Sequence, residues 1–138
     1  MLNTQNNENE VGIDRTEVTY SIEEKQAAQR AMIGLFGMWG VQDEDVPSIL
    51  CDVSVEEYKL WKIGQYGDVS KKLVKRMMDI LSLHRKLRQM FTDPKRCYIW
   101  MGSANANFQG QAALDILKNE GGEGVIRINK YLNAVIYN

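Results

Sequence analysis

The clearest pattern along the chain lies in residues 70–91, where Leu73, Met77, Ile80, His84, Leu87 and Phe91 recur at intervals of three and four. Val74, Met78 and Leu81 widen the stripe. That period predicts a long amphipathic helix with one face buried. A second stripe, Ala28, Met32, Leu35 and Trp39 with Ala31 and Phe36 beside it, predicts a helix over residues 21–39. Ser21 and Glu24 have the spacing of a capping box at its start, and Gly40 can end it.

Shorter elements fill the remainder. Residues 42–51 read as a short helix that starts late because of Pro47, with Asp43 or Asp45 as its cap. Residues 52–54 form a tight turn. Ser54, with Glu57 three positions on, opens a third helix running to about residue 63. Gly64, Gly67 and Asp68 form a loop. Asp93 caps a further helix with Pro94 at its first position, where the missing amide costs nothing, and Gly102 ends it. Residues 103–111 read as a loop, 112–118 as a helix stopped by Asn119, Gly121 and Gly122, and about 123–135 as a last helix. There are no internal repeats and no alternation of the kind strands show. The expected fold class is all-α. Residues 1–20 lack helical periodicity and read as a flexible N-terminal arm. Residues 21–91 read as a helix-turn-helix domain with a long connecting helix, and 92–138 as a C-terminal domain.

Length and charge sharpen this picture. A chain of 138 residues can bury about two-thirds of the surface it exposes when unfolded. Its formal net charge of -1 conceals a segregation. Residues 1–58 carry 12 acidic and 3 basic side chains, residues 59–96 carry 3 acidic and 11 basic, and the remainder carries 3 of each. The 2 cysteines, Cys51 and Cys97, read as small buried hydrophobes of a reduced compartment. With one histidine and no CxxC pair, no metal site is expected. The first residues are polar and acidic, unlike a signal peptide, and the longest mainly apolar run, 31–41, is too short for a bilayer and holds three glycines. The expected location is the cytoplasm, away from membranes.

Two short helices after a longer one make the shape of a helix-turn-helix, with Val46, Ile49, Leu50, Val53, Tyr58, Leu60 and Trp61 as scaffold. Ser54 at the start of the third helix, Lys59 and Lys62 along it, and Lys71 and Lys72 on the next helix are the candidate DNA contacts, with Lys75 and Arg76 beside them. Glu56 and Glu57 oppose this reading, because carboxylates repel the phosphate backbone. The segment 54–64 also lacks the Arg, Asn and Gln that usually read guanine and adenine.

No catalytic constellation stands out. His84 falls on the apolar stripe and reads as a half-buried structural residue. Ser82, two positions away, lies on another helix face. Gly121-Gly122-Glu123-Gly124 lacks the strand and the lysine of a phosphate loop. Neither an enzyme nor a cofactor is expected.

The run WGVQDEDVPSILCDVSVEEYKLWKIG at 39–64 resembles the Xre-like helix-turn-helix of the MbcA/ParS/Xre antitoxin family. WMGSANANFQGQAALDIL at 100–117, followed by Gly121-Gly122 and KYLNA at 130–134, looks like that family's toxin-binding domain. Arg96 and the ordered set of Trp, Asn, Phe and Gly positions are shared. The resemblance covers roughly residues 25–138. It implies a RES-domain toxin partner that consumes NAD or transfers ADP-ribose, blocked at its active-site cleft by the antitoxin's C-terminal region. It also implies homodimers within a hetero-oligomeric complex, and repression of the operon through operator DNA. The family usually has Pro where this chain has Ala104 and Ala113, Ser or Thr at Ala112, Gly at Cys51 and an acid at Asn133. The candidate toxin contacts are Asn105 and Phe108 in the loop and Asn133, Val135, Ile136, Tyr137 and Asn138 in the tail. The tail is apolar, terminal and has no evident core to join. Trp100, Phe108 and Leu114 suit a core better than a contact, Asn105 and Gly110 suit shaping the loop better than touching a toxin, and a frayed terminus is the competing reading of the tail. A stand-alone helix-turn-helix regulator without a toxin is the alternative reading, motivated by the basic middle segment.

Overall fold

The computed structural model describes residues 19–137 and contains seven α-helices among them. They are α1 (Ile22–Trp39), α2 (Val46–Leu50), α3 (Val55–Lys62), α4 (Lys71–Met90), α5 (Pro94–Gly102), α6 (Ala113–Glu120) and α7 (Gly122–Tyr137). Short 3-10 turns cover Asp43–Asp45 and Ala106–Phe108. The all-α expectation holds. Nearly all of the expected N-terminal arm, and Asn138, lie outside the described residues.

The helix starts follow the local chemistry of the sequence. In both capping boxes the serine hydroxyl accepts from the backbone N–H three residues on, at 3.1 Å for Ser21 and 3.0 Å for Ser54. The paired Glu24 and Glu57 carboxylates each accept from the serine's own N–H at 2.8 Å. Ser70 caps α4 through the Leu73 N–H, and Asp93 caps α5 through the Lys95 N–H, with Pro94 at its first position. Each such cap satisfies a donor the helix itself cannot, worth about 1 kcal/mol. α1 ends at Gly40 in the left-handed conformation.

Helix α4 is central and packs against α1, α2, α5 and α7. Leu73, Val74, Met77, Ile80, Leu83 and Leu87 form its buried face. One hydrophobic cluster runs from Ala28 and Trp39 through α4 to Ile116, Ile128 and Leu132. The segments expected as two successive domains therefore share a core across residue 91. A polar staple fixes α7 to α4. Lys86 donates to the Asn129 side-chain oxygen at 2.8 Å, and the Asn129 amide donates to the Asp79 carbonyl at 3.0 Å.

Several expectations shift. Leu83, absent from the expected stripe, is fully buried on the same face of α4 as Ile80 and Leu87, while the rest of that stripe keeps its place. His84 stays half-buried, its ring stacked on Tyr98. Asp45 stands at the N-cap of α2, but neither it nor Asp43 makes a capping bond. The two carboxylates pair with Lys118 and Lys62 instead. Cys97 is buried as expected, whereas Cys51 is exposed. The last helix does not stop at 135 but continues through Tyr137.

Candidate functional site

Helix α7 is half core and half surface. Gly124, Val125, Ile128 and Leu132 face inward at the helical period. Beyond Leu132 the helix outlasts its core. Asn133, Ala134 and Val135 are exposed, Ile136 is half-buried and Tyr137 is 68% exposed. The predicted tail contacts thus stand on one protruding helical end. Asn138 falls outside the described residues.

The loop between α5 and α6 lies against the middle of α7. An isolated antiparallel bridge joins Ala104 to Ala112 at its neck. Asn105 organises the turn. Its side-chain oxygen accepts from the Asn107 N–H at 2.9 Å, and its carbonyl accepts from the N–H groups of Phe108 and Gly110. Gln109 has φ of 57°, a left-handed conformation that disfavours a residue with a side chain.

Phe108 is only 2% exposed. Its ring sits edge-on to Trp100 at 6.1 Å and to Tyr131 at 5.0 Å, and Trp100 stacks on Tyr131 at 6.4 Å. Phe108 thus takes the core place that its aromatic side chain suits, and props the loop from beneath. Asn105 likewise spends its acceptor inside the loop.

Two residues outside the predicted contact set tie this loop down. Arg127 donates to Glu120 at 2.7 Å and to the Gln109 side-chain oxygen at 3.1 Å, with its guanidinium 5.8 Å from the centre of the Phe108 ring. One turn on, the Tyr131 hydroxyl accepts from the Asn107 side-chain amide at 3.0 Å. The sequence signal for this pair is their separation of four on the helix, which places both on one face.

The candidate DNA contacts are dispersed. Ser54 uses its hydroxyl as the α3 cap. Lys62 bonds Asp43 at 2.8 Å and lies over the Tyr58 ring. Tyr58 itself is pushed up to about 12, first by burial and then by the Asp43 charge. Lys59, Lys71 and Lys72 are exposed. Lys75 pairs with Asp79, and Arg76 turns inward to the end of α2.

Burial also governs the remaining titrating groups. His84 is held below its ordinary range by burial and then by Arg88. Lys86 is lowered by burial and then by Arg85, against the opposing pull of Asp79. Burial raises the Cys97 thiol. Among the described residues no group of three acidic, histidine or cysteine side chains converges as a metal site, and no helix is long and apolar enough to cross a membrane.

This arrangement is that of a small helical platform with one helix end projecting past its core. Residues 86–137 match the family model for the antitoxin Xre/MbcA/ParS C-terminal toxin-binding domain. The matched segment takes in the last turn of α4, all of α5 and α6, the clamped loop and α7. The chain is also similar to the uncharacterized protein y4oB of Sinorhizobium fredii, with 27% identity over 108 residues, covering 78% of this chain and 83% of that protein.

Proposed function

We propose that this protein is the antitoxin of a toxin–antitoxin pair, and that it binds and blocks a RES-domain toxin without catalysing a reaction itself. The observation that carries this reading is the coincidence of the toxin-binding family match at 86–137 with the one helix that runs on past its own core. A preformed helical end carrying Val135, Ile136 and Tyr137 suits insertion into a cleft, because apolar side chains presented on a rigid helix bury area at low ordering cost. The resemblance of the sequence to the MbcA/ParS/Xre antitoxins supports the choice of a RES-domain enzyme, and with it an NAD-consuming or ADP-ribosylating target.

The test is to look for a RES-domain enzyme encoded beside this chain and to co-express the two. The full protein restores growth, and a version ending at Ala134 does not, while both give the same helical circular dichroism. Equal protection by the shortened chain, or no association of the full chain with that enzyme, overturns the reading.

Exposed Lys59 on α3, with Lys71 and Lys72 at the start of α4, favours operator DNA as a second partner, either within the toxin complex or for a stand-alone regulator. Gel-shift titration on the upstream DNA at two salt concentrations tests it, since phosphate contacts predict a steep salt slope.

A further inference from the structure

We propose that Arg127 and Tyr131 are positioning residues which hold the 103–111 loop rigid, making that loop a second contact surface for the toxin beside the helical tail. This rests on the toxin-binding reading above and extends it to a part of the surface that the tail does not reach.

The Asn105 turn and the buried Phe108 order the inner part of the loop, and its outer side chains need anchoring from elsewhere. It contains five residues of the Asn, Gln, Ser or Gly kind between 103 and 110, and one of them, Gln109, adopts a left-handed backbone without being glycine. Such conformations persist where surrounding contacts over-determine them, and they concentrate where a protein holds a ligand or partner. Here the contacts are visible. The Arg127 fork ties the Gln109 side chain to Glu120, so the strained residue is bound to the end of α6 as well as to α7. The Tyr131 hydroxyl holds Asn107, and its ring rests on Trp100 and Phe108. Both clamps come from one face of α7, within two turns of the protruding end. The loop and the tail are therefore fixed to the same helix and move with it.

The chemistry of the exposed loop fits a protein partner. Ala104, Ala106, Asn107, Gln109 and Gly110 are exposed and present small side chains, amides and backbone. They offer hydrogen bonds without any charge to desolvate. A loop already in its bound shape loses less conformational freedom on docking, which strengthens binding without adding a contact.

The experiment combines amide hydrogen exchange with toxin binding on the full chain. Arg127→Met and Tyr131→Phe are compared with wild type, and Lys130→Ala on the same helix is the control. Gln109→Ala is the variant that removes the clamp's acceptor from an exposed side chain and leaves the core untouched. We expect the amides of residues 105–111 to exchange at least about tenfold faster in Arg127→Met and Gln109→Ala, with Ile128 and Leu132 unchanged, and toxin affinity to fall about tenfold. Lys130→Ala changes neither. Unchanged loop exchange overturns the clamp. Faster exchange with unchanged affinity overturns the loop's part in the contact. If wild type itself binds no RES-domain toxin, the antitoxin reading and the loop's part in docking both fail, and exchange alone still decides the clamp.

Discussion

Arg76 of α4 donates to the carbonyl of Ile49 at the end of α2, at 3.1 Å, across 27 positions of sequence. The same nitrogen lies 3.5 Å from the Cys51 sulfur. A cation at a helix C-terminus satisfies a carbonyl the helix leaves open and meets the negative end of its dipole. A residue that reads from the sequence as a phosphate contact is thus a cap for the short helix α2.

Replacing Arg76 with methionine keeps the aliphatic stem and removes the cap. The loss should cost about 1.5–3 kcal/mol, the range for a hydrogen bond to a charged group. Urea unfolding measures it. A midpoint equal to that of wild type would show the bond to be dispensable.

Cys51 has φ of 68° and ψ of −122°, a region that penalises any Cβ. Cys51→Gly should therefore raise stability by about 1 kcal/mol, after the extra freedom of glycine in the unfolded chain is subtracted. Equal or lower stability in the same unfolding experiment contradicts the strain.

Ala112 is the N-cap of helix α6, with an extended backbone but a side chain that makes no cap bond. Ala112→Ser supplies the missing acceptor and should add about 0.5–2 kcal/mol. The Asp115 amide proton should then exchange more slowly.

His84 is the one histidine of the chain. Its Nδ1 is buried without a hydrogen-bond partner among the described residues, and burial and then Arg88 hold it below its ordinary value of 6.5. The folded state therefore binds its proton less readily than the unfolded chain. The stability this group contributes is present above about pH 6.5 and is lost as the pH falls from there through the folded value. His84→Gln should flatten that part of the stability–pH curve relative to wild type. Parallel curves for the two proteins would remove His84 as the cause.

Leu132 and Val135 lie three positions apart on α7 and should separate folding from binding. Leu132 is fully buried, so Leu132→Ala should cost about 2–5 kcal/mol. Val135 is 47% exposed, so Val135→Lys should stay within about 0.5 kcal/mol of wild type yet abolish tight toxin capture. Calorimetry and a pull-down on the two variants give the comparison, and a destabilised Val135→Lys would place that side chain in the core.

What was legible in the sequence follows the range of the interaction. The Ser21–Glu24 and Ser54–Glu57 boxes and the Asp93-Pro94 start depend on neighbours within three positions, and all three form as read. The stripe of α4 was legible in kind but missed Leu83, because His84 and Leu83 both satisfy a spacing of three or four. The tail was legible as apolar and terminal. Its persistence as helix was not, since Asn133 and the residues after it give no start or stop signal. The contacts of Arg76 with Ile49 and of Arg127 with Gln109 join residues 27 and 18 positions apart, and only the packing of α2 on α4 and of the α5–α6 loop on α7 brings them together. Asn105 and Phe108 were found by their motif, but the motif does not say whether they face a partner or support the surface that does.

The junction of α6 and α7 is Gly121-Gly122, and neither position has room for a methyl group. A Cβ on Gly121 would lie 2.9 Å from the Ser48 carbonyl oxygen, and one on Gly122 would run into the Arg76 guanidinium. The Arg76 side chain can swing away from Gly122, but Gly121, left-handed and against backbone, is closed to a side chain, while the projecting turn beyond Leu132 is open. A lineage can retool its fingertip for a new adversary, one exposed side chain at a time, without ever disturbing the knuckle.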